Sequence, residues 1–300
     1  MNEVDVSIVI VTYNTMLMTN ECIDSVLKHT RRNSIEIILV DNASTDGSKE
    51  FYATDERIKY IYSNENLGFG RANNVGIDVA LGKYVFMLNS DTIVLDDVVR
   101  KLFDFAEKNY DNNLGALGTC LINNEKKDAR SFGQFVSSKR IYRRLLENLR
   151  IYRKNFEVET YLKLDNQGYV EIDFISGADL FIPKKVFNQV KGFDPDFFMY
   201  YEETELQKRM DEVGLKRYII NVRDIIHLEG GSFGHNLPFR RKMMMTKGMK
   251  LYIIKHFDGF SKFHMILLSL LILLKDLVKL NYTLYQNLSL IKETLTNQNK

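Results

Sequence analysis

Three short apolar runs, Val6–Val11 (VSIVIV), Ile35–Val40 (IEIILV) and Tyr84–Leu88 (YVFML), recur with helical spacing between them. Strands that are apolar at nearly every position, rather than at every second one, suit a parallel sheet covered on both faces. Between the first two runs, Met18, Cys22 and Val26 fall at i, i+4 and i+8 on one helical face. Before the third, a helix is predicted from about Gly70 to Leu81, closed by Gly82 as its C-terminal glycine. Strand, helix and strand in succession predict an α/β domain with right-handed crossovers and a mostly parallel central sheet flanked by helices.

In open sheets of this kind, ligands bind outside the carboxyl ends of the strands. Here those ends are polar: the first run leads into Thr12-Tyr13-Asn14, the second into Asp41-Asn42-Ala43-Ser44-Thr45-Asp46, and the third into Asn89-Ser90-Asp91. Taken singly, each reads as an ordinary turn or cap, and for Ser44 and Asp46 helix capping is as good a reading as ligand contact. Three such ends on one edge point to a binding site.

The 300 residues are 45% hydrophobic and 27% charged with only 3 prolines, which allows a sizeable core and excludes a long extended linker. Cys22 and Cys120 form no C-x-x-C or Cys/His cluster, so buried reduced thiols in a cytosolic protein are expected, without a zinc site. No basic segment precedes Val6 and no small-residue cleavage site follows Val11, so the first run reads as a strand and not as a signal peptide. A net charge of +2 is too small for bulk attraction to nucleic acid, and none is expected as a partner.

That charge is unevenly spread. Lys126–Lys154 holds ten Lys and Arg against two acids, and Arg240–His264 seven against one, leaving −12 on the remainder. Residues near 139–154 spell a basic amphipathic helix, with Ile141, Leu145, Leu149 and Tyr152 on one face and Arg143, Arg144, Arg150 and Arg153 largely off it. It reads either as a solvated helix packing its stripe on the domain or as a membrane-surface helix. Met265–Leu274 (MILLSLLILL), continued by Leu277, Val278 and Leu280, is shorter than the ~20 apolar residues of a bilayer span. A helix lying on the bilayer surface is the reading adopted, with a buried helix or a homodimer contact as alternatives. Thr294–Lys300 reads as a frayed polar tail.

In order, VSIVIVTYN, LVDNASTDGS, NENLGFGRANNVGI and MLNSD resemble the N-terminal half of glycosyltransferase family 2, and within it the rhamnosyltransferase-like branch. ISGADLFIP, GFDPDFFMYYEETELQKR and HLEGGS extend the resemblance over roughly residues 5–255. It implies a GT-A fold, a nucleotide-sugar donor, a divalent metal and inverting transfer to a hydroxyl. On this basis residues 1–235 form the GT-A domain, with a nucleotide-binding half (1–122) and an acceptor half (123–235), and residues 236–300 form a C-terminal helical tail.

The resemblance also implies roles for single residues. Asp91 would ligate the Mg²⁺ or Mn²⁺ that neutralises a leaving diphosphate. Asn89 stands where the family's D-x-D has its first Asp, and suits a hydrogen bond to ribose or to a metal-bound water. Asp41 would accept from the imide N–H of uracil or thymine, with Thr12, Tyr13 and Asn14 lining the same pocket. Arg71 and Asn74 would touch the diphosphate or the sugar. Gly68 and Gly70 make only part of a dinucleotide motif, since Asn73 replaces its third glycine, and no Rossmann site is expected. Glu202 and Glu203 open a helix running to about Val213 and stopping at Gly214. An inverting transferase needs one general base. The family pair usually reads Glu-Asp with the second as base, which makes Glu203 the base and Glu202 its alternative, kept ionised by the helix N-terminus. His227 matches the histidine that completes the metal or diphosphate shell, with Gly230, Gly231 and Ser232 offering N–H groups to phosphate. Ser176, Gly177 and Ala178 match the floor of the donor-sugar pocket, with Asp179 in reach of a sugar hydroxyl.

The function expected is therefore an inverting, metal-dependent transferase. It moves L-rhamnose from dTDP-rhamnose onto a cell-surface glycan precursor carried on a polyprenyl diphosphate, at the cytoplasmic face of the plasma membrane. A transferase using a UDP-hexose or UDP-N-acetylhexosamine is the nearest rival. A sugar-nucleotide pyrophosphorylase would need a glycine-rich basic loop where Thr12-Tyr13-Asn14-Thr15 stand. A non-catalytic glycan-binding or assembly protein on the same fold is the rival from another class, and the set Asp91, Glu203 and His227 stands against it.

Overall fold

The computed structural model describes residues 3–109, 113–148, 156–228, 238–278 and 283–295. In chain order the first half holds β1 (Val6–Thr12), α1 (Met16–His29), β2 (Ile35–Asp41), α2 (Ser48–Tyr52), β3 (Lys59–Tyr62), α3 (Phe69–Asp78), β4 (Tyr84–Asn89), β5 (Thr92–Val94), α4 (Val98–Asn109) and β6 (Leu114–Thr119). Shorter pieces follow, namely β7 (Phe132–Gly133), α5 (Ser138–Asn148), α6 (Phe156–Gln167), β8 (Tyr169–Glu171), β9 (Phe174–Ile175), β10 (Asp179–Pro183) and α7 (Lys184–Gln189). Then come α8 (Glu202–Glu212), β11 (Lys216–Ile220), β12 (Ile225–His227) and the C-terminal helices α9 (Pro238–His256), α10 (Gly259–Val278) and α11 (Leu284–Leu295).

Among the described residues the main sheet has eight strands in the order β3-β2-β1-β4-β10-β6-β11-β8. The strands β3, β2, β1 and β4 are parallel neighbours, and β11 is parallel to β6. Between these groups β10 runs antiparallel to both β4 and β6, and β8 is antiparallel at the far edge. One sheet thus runs through both halves of the predicted catalytic domain.

Both faces are covered, as continuous apolar strands require. Ile8, Ile10, Leu39, Phe86 and Leu88 pack on one side with Cys22, Ile23 and Val26 of α1 and Val99 and Leu102 of α4. Val9, Ile38, Val40, Val85 and Met87 pack on the other with Ala72 and Ile77 of α3 and Leu206 and Met210 of α8. Each Val, Leu, Ile, Phe or Met among them, fully buried, contributes about 1.5–3 kcal/mol relative to its exposed state.

Two local expectations change. The buried face of α1 is Thr19, Cys22, Ile23, Ser25 and Val26, with Met18 only half-buried at its margin. The helix expected over Gly70–Leu81 is α3 and ends at Asp78, well before Gly82. Gly82 instead turns the chain into β4: its N–H donates to Ser7 Oγ at 2.8 Å, and a methyl there would lie 2.4 Å from the Ser7 nitrogen. This glycine marks a close backbone approach rather than a helix cap. Gly214, at φ 77°, does follow the end of α8.

The basic amphipathic helix is α5. Its Ile141 is buried with Ile253 of α9 and Met265 and Leu268 of α10, so at this position the stripe packs on protein. Leu149, Arg150, Tyr152 and Arg153 lie outside the described residues. Both cysteines are buried free thiols, each pushed up to about 12 by burial. No helix among the described residues is long and apolar enough to cross a membrane.

Candidate active site

The strands β1, β2 and β4 end side by side, Thr12 opposite Asp41 and Val11 opposite Asn89, so the three polar segments meet on one edge. β10 begins at that edge, and the Ala178 carbonyl accepts the Asn89 N–H at 3.0 Å. A separate ribbon pairs β5 with β12 and sets His227 opposite Thr92. It brings His227 Nε2 to 3.3 Å from Asp91 Oδ1 and 3.5 Å from Asn89 Nδ2. Leu228 N–H fixes the register further by donating to the Asp91 carbonyl at 2.9 Å. Among the described residues no three of His, Cys, Asp or Glu gather into a metal cage. One carboxylate and one imidazole with an amide beside them fit Mg²⁺ or Mn²⁺, which take most ligands from phosphate and water, better than structural zinc, which wants four protein ligands.

Asp179 supports this edge from inside. It is fully buried; its Oδ2 accepts from the Thr119 N–H and hydroxyl at 2.6 and 2.7 Å, while Oδ1 has no protein partner. Burial pushes its carboxyl up to about 7, against the Thr119 bonds and the nearby His227. With no exposed surface, Asp179 braces the edge through Thr119 and leaves only Oδ1 without a protein partner.

Glu202 and Glu203 stand in the first turn of α8, directly after Tyr200 and Tyr201, which hold φ values of 68° and 74°. Two successive non-glycine residues in the left-handed region carry strain and need surrounding structure to hold them. That support comes from α9: Gly248 packs so closely that a methyl on it would lie 2.3 Å from the Tyr200 carbonyl oxygen, and Arg241 lies over the Tyr200 ring. On the other side, the Gln207 amide bonds the Ile175 N–H and carbonyl, each at 2.8 Å, which ties β9 to α8. The Ser176–Ala178 segment follows, and a methyl on Gly177 would lie 3.9 Å from Glu203 Cβ.

Glu202 is only 4% exposed and its Oε2 has no protein partner, while Glu203 is half-buried. Burial raises the Glu202 carboxyl well above the usual range, and the Glu203 charge adds to the effect. Burial raises Glu203 as well, opposed by main-chain N–H groups at the helix start and by Arg130. The helix N-terminus therefore does not dominate, and the pair holds protons more tightly than expected. Arg130 is a residue the sequence reading did not single out; it lies in a run rich in Lys and Arg, where only the fold distinguishes it from its neighbours.

Several expected contacts instead join the loops to one another. Thr12 is buried, its hydroxyl 2.8 Å from that of Thr19 and 3.1 Å from that of Thr15. Asn14 Oδ1 accepts the Thr45 N–H at 2.7 Å, and Ser44 Oγ accepts the Asn14 N–H. The buried Asp41 takes the Ser44 N–H on Oδ1 at 2.8 Å and the Tyr60 hydroxyl on Oδ2 at 2.7 Å, with lone pairs remaining. Asp46 caps two helices: Oδ2 accepts the Met16 N–H of α1, and Oδ1 accepts the Ser48 N–H and hydroxyl of α2. The Asn74 amide makes a two-point bond to the Phe193 N–H and carbonyl, at 2.9 and 2.8 Å, and so holds the GFDP loop. Ser176 donates its N–H to the Ser131 carbonyl. Tyr13 is exposed, and the half-buried Arg71 is anchored through Nε to the Leu67 carbonyl. Ser232, with Gly230 and Gly231, lies outside the described residues.

Residues 7–166 match the sequence model of glycosyl transferase family 2. Glycosyltransferase GlyG of Streptococcus pneumoniae serotype 4 is 38% identical over 115 residues, which is 37% of this chain and 38% of that protein. The match thus spans well under half the length of that curated relative. Among solved structures, S. aureus TarS 1–349 in complex with UDP superposes with a TM-score of 0.57 at 14% identity, over 96% of this chain and 78% of its own. The mannosyltransferase PcManGT from Pyrobaculum calidifontis, solved with GDP-Man and Mn²⁺, gives 0.54 at 16% identity over 97% and 73%. At such identities the likeness establishes the fold, a GT-A arrangement of mostly parallel sheet and flanking helices.

Proposed function

Because the chain belongs to glycosyltransferase family 2, we propose that it transfers a sugar from a nucleoside diphosphate to an acceptor hydroxyl, with inversion at the sugar carbon. One observation carries this reading: the Ser176–Ala178 segment links the two chemical groups of the edge. Its Ala178 carbonyl accepts from Asn89, next to the Asp91–His227 pair, and its Gly177 abuts Glu203. A leaving diphosphate and an attacking hydroxyl need such groups on two sides of one sugar.

Asp91 and His227 would hold the divalent ion, which when bound there neutralises charge developing on the diphosphate. Glu203 takes the proton from the acceptor hydroxyl as its oxygen bonds to the anomeric carbon and the bond from that carbon to the diphosphate oxygen breaks. The unpartnered Glu202 Oε2 makes Glu202 the alternative base, or the group with which Glu203 shares that proton. Asp41 can use a remaining lone pair on an imide N–H, a contact common to thymine and uracil.

The order of motifs favours dTDP-L-rhamnose as donor and a lipid-carried glycan precursor as acceptor, at the cytoplasmic face of the membrane. UDP bound to TarS supports a UDP-sugar as the second reading. The test is thermal stabilisation by dTDP, UDP, GDP and NAD, each with and without Mn²⁺. A ligand at a hundred times its Kd adds about 2.7 kcal/mol. Metal-dependent stabilisation by dTDP or UDP alone is expected and selects the sugars to assay. A transition that no nucleotide moves would overturn the reading in favour of the non-catalytic rival.

A further inference from the structure

The helix α10 has two unlike faces. Met265, Leu268 and Ser269 are buried against protein, whereas Phe263, Leu267 and Leu271, spaced i, i+4 and i+8, are between 40% and 64% exposed. The adjoining α11 repeats the pattern, with Leu290 buried and Leu284, Leu288 and Leu295 between 53% and 67% exposed. Single exposed apolar residues are ordinary, but six large ones on the outer faces of two adjacent helices form a surface that mates with something.

Charge selects the mate. Lys139 on the neighbouring α5 and Lys292 on α11 are exposed, and Lys262 on α10 is half-exposed. The stretch Arg240–His264 carries +6 in sequence, of which Lys255 pairs with Asp194 and Asp196 and the buried Lys250 lies against Glu293, while the chain outside the two basic stretches carries −12. A second copy docked face to face would set cations against cations, whereas anionic lipid headgroups complement them. No described helix can span a bilayer, so both would lie in the interfacial plane.

We propose that the outward faces of α10 and α11 seat the protein on an anionic bilayer surface. Their leucines and Phe263 enter the acyl boundary, and the lysines rest among the headgroups. The proposal shares with the transferase reading only its purpose, bringing the site to a lipid-carried acceptor; binding itself does not depend on that reading.

Flotation of the full chain with vesicles of phosphatidylcholine, alone or mixed with phosphatidylglycerol, tests it. Binding to the mixed vesicles, weakened by salt, is expected. The double variant Leu267→Glu/Leu288→Glu should lose roughly tenfold or more of that binding. Both positions are exposed, so its melting temperature and its nucleotide-dependent stabilisation should stay unchanged. Lys139→Glu/Lys262→Glu should lose the preference for phosphatidylglycerol with the apolar face intact. Absent binding to mixed vesicles, full binding by the leucine variant, or a dimer that Leu267→Glu dissociates would each overturn the proposal. Nucleotide stabilisation on the same samples reports on the transferase reading separately.

Discussion

Replacing Asp179 by Asn should change how stability varies with pH as well as stability itself. The buried carboxyl is pushed from its ordinary 3.8 to about 7 in the folded protein. Between those values the folded state binds more protons than the unfolded one, so stability falls as pH rises through the window. One pKa unit corresponds to about 1.4 kcal/mol, and integrating across the two states gives a loss of about 2 kcal/mol between pH 5 and pH 7. Asn keeps an oxygen for the two Thr119 donors and does not titrate. Its Nδ2 replaces the unpartnered Oδ1 and adds a pH-independent cost of about 1–3 kcal/mol. Urea unfolding of both proteins at pH 5, 6 and 7, with a chelator present, measures the difference directly. The advantage of the wild type over the variant should shrink by about 2 kcal/mol across that range. Parallel curves would refute the assignment of a proton to this carboxyl.

Glu203→Gln should lower turnover by about 10²–10⁴-fold while leaving nucleotide stabilisation nearly unchanged; retained turnover moves the base to Glu202. Gly248→Ala places a methyl 2.3 Å from the Tyr200 carbonyl oxygen, so α9 or the strained tyrosine turn must shift, at a cost of about 1–3 kcal/mol. Calorimetry should show a lower melting temperature, and kcat should fall with nucleotide affinity kept. An unchanged melting temperature would mean that α9 does not hold the turn.

The central sheet is legible in the sequence because burial on both faces leaves continuous apolar runs, and β1, β2 and β4 are those runs extended by one residue each. The antiparallel β10 is not legible. Asp179–Pro183 is as apolar as its neighbours, and its direction is set by where β4 and β6 lie, which no local pattern records. The ribbon of β5 and β12 is shorter still, three residues a side, yet it alone pairs Thr92 with His227 and so joins Asp91 to the histidine. Short strands carry too few positions for a period, so a resemblance named that pair where periodicity is silent. Met265–Leu274 shows the opposite case. Its apolar composition fits a buried helix and a surface helix equally, and over Met265–Leu271 one face is packed and the other open.

The polar strand ends show why site residues are harder to read than sites. A polar edge must satisfy its own hydrogen bonds before it can bind anything. Asn14, Asp41, Asp46 and Asn74 use their side-chain atoms to join one segment to another, and Thr12 bonds within its own turn. Asn, Asp and Thr are the residues that caps and turns select for the same donors and acceptors that a ligand would use. Composition therefore marks the edge without separating builders from binders. At this edge, the atoms left over add what composition lacks. Glu202 Oε2 and Asp179 Oδ1 are buried carboxylate oxygens with no protein partner. An unpaired acceptor at such depth is costly unless a proton or a ligand meets it, so these two oxygens are places beside the proposed transfer that call for one or the other, a distinction that lies in partners and not in residue types.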